Sequence, residues 1–128
     1  MAPAELPPIA SAVVPNRTPA GRLIADEWFL QAYVGHLADR TLPDVSPVFG
    51  DLRGLPPALL VVGAADVLLE DNLVMAARLS AAGVPVDVRV YPESPHGFTG
   101  HPTGMARAAL AGRDAWLVER LTGGLPPR

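Results

Sequence analysis

The feature that most constrains the fold is an unbroken apolar run from Ala58 to Val62, which ends at Gly63. A strand that is apolar on both sides is buried on both faces, as in a parallel sheet covered by helices. Such a strand also needs a hydrogen-bonding neighbour on each edge, because its backbone groups are removed from water. The run therefore predicts an α/β fold in which this segment lies inside a sheet.

A helix and a second strand follow this run. Residues Leu68 to Ala82 carry acids near the start and an arginine near the end, as the helix dipole favours, and Gly83 ends the helix. The segment Val86 to Val90 then alternates strictly between apolar and polar residues. It predicts a strand with Asp87 and Arg89 on one wet face, as is typical of a sheet edge. Two strands joined by a helix predict a right-handed βαβ unit.

Two further helices are predicted, one on each side of this unit in the sequence. Between residues 23 and 39, apolar and aromatic side chains recur at helical spacing, and we interpret them as a packed stripe: Leu23, Ile24, Trp28, Phe29, Ala32, Tyr33 and Leu37. A last helix is predicted from about Gly104 to Leu121. Its packed stripe is predicted to consist of Met105, Ala108, Ala109, Gly112, Ala115 and Trp116.

The chain is organised as one domain with an irregular segment at each end. Prolines and small residues break any periodicity in residues 1–22, so we predict a Pro-rich irregular arm there, with one short strand at Ala12–Val14. Residues 23–121 form the domain, and residues 122–128 form a tail. The strand at 58–62 then has a neighbour at 86–90 on one side and at most Ala12–Val14 on the other. We therefore expect the edge of a larger sheet whose remainder is absent from these 128 residues.

Composition excludes several classes of function. The chain has no cysteine, which excludes disulfides, thiolate nucleophiles and cysteine zinc sites. Every basic side chain is arginine, which excludes Schiff-base lysines and a P-loop lysine. A net charge of −3 argues against binding to nucleic acid or to an acidic membrane surface. No apolar run approaches the roughly 20 residues of a membrane span, and no signal segment is evident, so we expect a cytoplasmic protein.

Two polar residues follow the two strands, Asp66 after the first and His96 after the second. In open α/β sheets the functional crevice lies outside the carboxyl ends of the strands. A carboxylate there can accept the imidazole Nδ1–H, fix the tautomer and leave Nε2 to take a proton. An acid and a histidine so placed can meet, and we predict that Asp66 and His96 lie on neighbouring loops at this edge of the sheet. The alternative is that Asp66 caps the next helix through backbone N–H groups near Leu68 or Leu69.

The other candidate residues receive simpler interpretations. We assign His36 a partly buried structural role in the aromatic helix and His101 a solvated position in a Gly/Pro-rich loop. A metal site formed by Glu70 with Asp66 and His96 has no recognisable ligand spacing. We therefore expect neither a metal nor an organic cofactor.

Several short motifs occur in one order along the chain: Ser46-Pro47, Gly54-Leu55-Pro56-Pro57-Ala58, Gly63-Ala64-Ala65-Asp66-Val67-Leu68, Ala82-Gly83-Val84-Pro85-Val86, Tyr91 and His96-Gly97-Phe98. This pattern resembles the C-terminal third of the hormone-sensitive-lipase-like α/β-hydrolases, the fold-3 esterase family, over about residues 23–121. The resemblance implies a partial α/β-hydrolase fold, with βα units from the C-terminal edge of a mostly parallel sheet. It also implies that Asp66 and His96 belong to a Ser-Asp-His triad that hydrolyses small carboxylic esters. A carboxylate oxygen of Asp66 is then expected about 2.6–3.2 Å from the His96 imidazole.

The chain departs from that family in its nucleophile. The family's serine lies in a G-x-S-x-G elbow, and none of the serines here has glycines two positions before and two after: Ser11, Ser46, Ser80 and Ser94. The family's oxyanion motif of histidine and successive glycines is also absent, and Val67 replaces the usual proline after the acid. We therefore expect this chain alone to be inactive.

Two functions remain open at this point. The chain is either the C-terminal part of an esterase, completed by further sequence, a second chain or self-association, or a non-catalytic module that pairs through an open sheet edge.

Overall fold

The computed structural model describes residues 31–123, which contain two strands and two long helices. In chain order these are β1 (Ala58–Gly63), α1 (Leu69–Ala81), β2 (Val86–Tyr91) and α2 (Gly104–Thr122). Short 3₁₀ helices lie at Pro47–Phe49 and Phe98–Gly100. β1 and β2 pair in parallel, from Ala58 opposite Val86 to Gly63 opposite Tyr91. The predicted βαβ unit is confirmed, and each predicted boundary lies within one residue of the observed one.

The helix α1 ends as its sequence predicts. Gly83 adopts a left-handed conformation with φ of +80°. Its N–H donates to the Ser80 carbonyl, and the N–H of Val84 donates to the Leu79 carbonyl, both at 3.0 Å. These two bonds form a Schellman motif, which satisfies carbonyls left open at a helix end. The motif turns the chain directly into β2.

One face of the sheet packs on α1 through an apolar core. Leu52, Leu79 and Val84 are its buried members, and partly buried apolar side chains surround them: Ala58, Leu60, Met75, Ala82 and Val86. The Arg78 guanidinium donates to the carbonyls of Val48 and Gly50, at 2.9 and 3.2 Å. These bonds tie the loop before β1 to the same helix.

The polar residues of β2 share one face as predicted, but that face is turned toward α2 and is only partly wet. Trp116 Nε1 donates to Asp87 Oδ2 at 2.6 Å, and a Cβ at Gly112 would lie 2.9 Å from an Arg89 nitrogen. On the other face of β2, the apolar Val88 and Val90 are 37% and 46% exposed. The reason lies in two residues of α2. The indole N–H of Trp116 binds the Asp87 carboxylate, and Gly112, which has no side chain, leaves room for the Arg89 guanidinium.

The packed stripe of α2 is narrower than predicted. Ala109, Gly112 and Trp116 do turn inward, whereas Met105, Ala108 and Ala115 are exposed and Ala106 is buried instead. β1 pairs with β2 alone among residues 31–123, so α2 covers a two-stranded surface. A sheet of two strands is narrow, so it buries only a thin stripe of the helix that packs on it.

The predicted aromatic helix is shorter within the described residues. Residues 31–34 are helical, and the chain turns at Gly35 instead of continuing to residue 39. Glycine is a poor helix former, and the Leu37 N–H donates to the Val34 carbonyl in a tight last turn. Tyr33 is 71% exposed and Ala32 is exposed, whereas Val34 is buried, so these two residues do not form the predicted packed stripe. Residues 23–30 and the predicted strand at Ala12–Val14 lie outside the described residues.

Candidate active site

The site is formed by two loops that leave the carboxyl ends of β1 and β2. The pairing of the strands continues into these loops, because Ala64 N–H donates to the Tyr91 carbonyl at 2.7 Å and Ala65 N–H donates to the Ser94 carbonyl at 3.1 Å. Asp66 follows on the first loop and His96 on the second. Two main-chain hydrogen bonds therefore hold the two loops side by side just before their functional side chains.

Asp66 and His96 are in direct contact. The Nδ1 atom of His96 lies 3.1 Å from both carboxylate oxygens of Asp66. The Asp66 side chain is 8% exposed, whereas that of His96 is 64% exposed. An ionised carboxylate only accepts hydrogen bonds, so a hydrogen bond in this contact requires the tautomer with the proton on Nδ1. The distance predicted from the sequence is confirmed, and the catalytic role of the pair stays a prediction.

The capping alternative for Asp66 is also observed. Its Oδ1 accepts the backbone N–H of Leu68 at 2.8 Å, close to the start of α1. We expected Asp66 either to cap the helix or to pair with His96, and that choice is wrong. A carboxylate has enough lone pairs to accept both hydrogen bonds. The helix start instead fixes the carboxylate in the orientation that faces His96.

A cleft of about 340 Å³ lies beside the pair. Asp66 and His96 form part of its wall, and the remainder comes from β1, the second loop and both helices, including Val61, Asn72 and Leu110. The exposed imidazole therefore borders a space large enough for a small ligand.

The other sequence candidates lie apart from this contact. His101 is exposed, as predicted, and His36 is exposed too, so its predicted partial burial is wrong. Residues 31–123 contain no cluster of three potential metal ligands, and the structure therefore gives the alternative with Glu70 no support. Within the same residues no helix is long and apolar enough to cross a bilayer.

Sequence reasoning missed two residues that shape the loops, Gly63 and Ser94. Ser94 lacks the glycines of a nucleophile elbow, and in the structure it is 4% exposed with its hydroxyl donating to the Pro92 carbonyl at 2.9 Å. A Cβ on Gly63 would lie within 2 Å of the Ser94 carbonyl oxygen. A glycine that ends a buried strand is a signal for close backbone approach, and it was available in the sequence.

Comparisons with known proteins agree with this architecture. A family model described as "alpha/beta hydrolase fold" matches residues 10–100. Esterase LipU of Mycobacterium tuberculosis is 51% identical over 45 residues, covering 35% of this chain and 15% of that protein. Ethyl acetate hydrolase of Pseudomonas putida is 37% identical over 73 residues, covering 56% of this chain and 23% of that protein.

A solved structure is similar as well. A hormone-sensitive lipase from a metagenome library superposes with a TM-score of 0.70 and 36% identity, covering 74% of this chain and 33% of that one. The chain thus spans less than a quarter of each of the two curated relatives and about a third of this structure. With a family match over most of its length, the chain belongs to the hormone-sensitive-lipase-like, fold-3 esterase family of α/β-hydrolases.

Proposed function

We propose that this chain supplies the acid and the base of a Ser-Asp-His triad that hydrolyses small carboxylic esters. The observation that carries the proposal is the buried Asp66 carboxylate, with both oxygens 3.1 Å from Nδ1 of the exposed His96. The main support from relatives is that proteins similar to this chain are an esterase and an ethyl acetate hydrolase.

The chemistry follows from the geometry of the pair. With the proton on Nδ1, the His96 Nε2 lone pair is free to take a proton from a serine hydroxyl as that oxygen attacks the ester carbonyl. Asp66 stabilises the imidazolium that forms. The imidazolium then gives its proton to the leaving alcohol, and a second cycle with water releases the acid. Asp66 acts through His96 and does not touch the ester.

The attacking serine is assigned to sequence outside these 128 residues. Ser94 is buried with its hydroxyl bonded to the Pro92 carbonyl, and the Ser46 hydroxyl donates to the Arg40 carbonyl at 2.6 Å. Ser80 lies in the last turn of α1, and no serine of the chain has the flanking glycines of an elbow. We therefore expect the chain alone to give no saturable hydrolysis of short p-nitrophenyl esters.

A chimaera tests the proposal directly. Residues 31–123 replace the structurally equivalent segment of the metagenomic hormone-sensitive lipase, which is similar over 74% of this chain. We expect saturable hydrolysis of p-nitrophenyl acetate, and a fall of about 10³-fold or more in kcat/KM for His96→Ala. His101→Ala is the matched control, because His101 is an exposed histidine of the same region and should retain activity. Equal activity in both variants would refute the proposed role of His96.

The second candidate function rests on the unpartnered edge of β1. The N–H groups of Ala58 and Ala64 point toward β2. Because a parallel ladder alternates, those of Leu59 and Val61 point to the open edge. A pairing module would use these groups to bind another strand.

Hydrogen exchange distinguishes the two candidates. In a dilute, monomeric sample we expect the Leu59 and Val61 amides to exchange faster than those of Leu60 and Val62. Rising protection of only the first two amides with concentration, without any ester hydrolysis in the chimaera, would favour the pairing module. Full protection of all four amides in a monomer would mean that the sheet is complete within this chain.

A further inference from the structure

The end of β1 and the loop after β2 approach each other more closely than ordinary side chains allow. A Cβ at Gly63 would lie 1.9 Å from the carbonyl oxygen of Ser94 and 2.6 Å from its carbonyl carbon. Both are backbone atoms, which cannot rotate away as a flexible side chain can. Gly63 is not among the glycines with positive φ, so space alone requires the absence of a side chain.

The second loop is shaped to bring its carbonyl to this point. Glu93 adopts a left-handed conformation with φ of 52°, and the Ser94 hydroxyl donates to the Pro92 carbonyl at 2.9 Å. Ser94 is 4% exposed, so the turn is packed as well as hydrogen bonded. The Ser94 carbonyl thereby accepts the N–H of Ala65 at 3.1 Å.

This contact lies next to the functional pair on both loops. Asp66 directly follows Ala65, and His96 comes two residues after Ser94. With the distances at 3.1 Å, a separation of the loops by 1 Å takes the His96 Nδ1 atom out of hydrogen-bond reach of the Asp66 carboxylate.

We propose that Gly63 and Ser94 are positioning residues that set the distance between Asp66 and His96. Gly63 removes the steric barrier between the loops, and the Ser94 hydroxyl holds the turn that presents the carbonyl. The inference rests on the proposed function, since positioning matters only where His96 is a base.

The test measures the tautomer of His96 by ¹⁵N NMR of the full 128-residue chain. In the unmodified chain we expect Nδ1–H as the major neutral form of His96, with His36 and His101 as internal references. In Gly63→Ala the Ser94 carbonyl must retreat from 1.9 Å to at least 3.0 Å from the new Cβ, a shift of more than 1 Å. We expect the His96 tautomer to move to that of the two reference histidines.

The matched control is Gly83→Ala. Gly83 has a φ of +80° and lies at the opposite end of β2, so an alanine there strains the backbone without touching either loop. We expect it to lower stability and to leave the His96 tautomer unchanged. Ser94→Ala, which removes only the hydroxyl, should shift the His96 tautomer partially. If Gly63→Ala does not fold, Ser94→Ala tests the positioning role instead.

The outcomes separate this inference from the proposed function. An unchanged His96 tautomer in folded Gly63→Ala, or in Ser94→Ala where the first does not fold, overturns the positioning role. In the chimaera, where a 1 Å displacement costs up to about 10²-fold in rate, Gly63→Ala should lower kcat with little change in KM. A tautomer shift in Gly63→Ala together with full activity of His96→Ala would overturn the proposed function and leave the loop geometry as described.

Discussion

The two faces of the sheet are built in different ways. The face on α1 is closed by apolar side chains, with Leu52, Leu79 and Val84 buried together. The face on α2 adds polar contacts to buried apolar side chains such as Ala109. The Trp116 indole donates a hydrogen bond to Asp87, and the Arg120 guanidinium lies 5.1 Å from the indole centroid. The two faces differ in chemistry and not in sequence separation, because Leu52 lies 27 positions from Leu79 and Asp87 lies 29 positions from Trp116.

The difference extends to what each face leaves exposed. Along α2, Leu117, Val118 and Leu121 are 44%, 60% and 83% exposed. The cleft with Asp66 and His96 is lined by both helices, with Asn72 of α1 and Leu110 of α2 among its residues. The helix α1 therefore encloses the apolar core, whereas α2 leaves several large apolar side chains exposed.

The largest effect on stability is expected on the α1 face. Leu79→Ala removes a buried side chain from the core and leaves a cavity, so we expect the free energy of unfolding to fall by about 2–5 kcal/mol. Urea denaturation followed by circular dichroism measures this change. Leu73→Ala is the matched control, because Leu73 lies on the same helix at 46% exposure, and we expect a loss of about 1 kcal/mol or less. Equal losses would mean that the α1 core does not carry the stability.

Much of this fold follows from local sequence signals. Three local signals predicted the bounds of β1, α1 and β2 to within one residue. They are the apolar run of β1, the Gly83 helix stop and the strict alternation of β2, and each acts on neighbouring residues. The position of Asp66 and His96 after parallel strands also predicted their contact, since the carboxyl ends of such strands share one edge.

What sequence reasoning missed depends on contacts between distant residues. Alternation shows that Asp87 and Arg89 share a face, but it does not show which helix covers that face. Only the placement of Trp116 and Gly112 on α2 decides it. In the same way, Ser94 is buried because of the turn at Glu93, and the periodicity of the sequence does not predict that turn.

A smaller effect is expected on the α2 face. Trp116→Phe keeps an aromatic ring and removes the N–H that binds Asp87 Oδ2 at 2.6 Å. The Asp87 side chain is 46% exposed, so water can replace the lost donor, and we expect a loss of about 1 kcal/mol in unfolding free energy. Urea midpoints of Trp116→Phe, Asp87→Ala and the double variant form a cycle that isolates the pair, because each single variant removes the hydrogen bond. A loss larger than that of Leu79→Ala would reverse the comparison of the two faces.

The smallest effect is expected at an ion pair on the rim of the α1 core. Asp51 and Arg53 flank the buried Leu52, and the hydrogen bonds from the Arg53 side chain and backbone lower the pKa of Asp51 from 3.8 to about 2. The ionised carboxylate therefore stabilises the fold above pH 3.8, and that stabilisation is lost as the pH falls toward 2.

Both residues are exposed, so the contribution to stability is small, and an NMR titration of the Asp51 carboxyl is the sensitive measurement. We expect Arg53→Ala to raise its midpoint from about 2 toward 3.8, whereas Arg113→Ala, which removes an arginine paired with Asp114, should leave it unchanged. Urea midpoints at neutral pH should then differ far less for Arg53→Ala than for Leu79→Ala. Comparable losses would show that charge, and not apolar packing, holds the loop of Leu52 against α1.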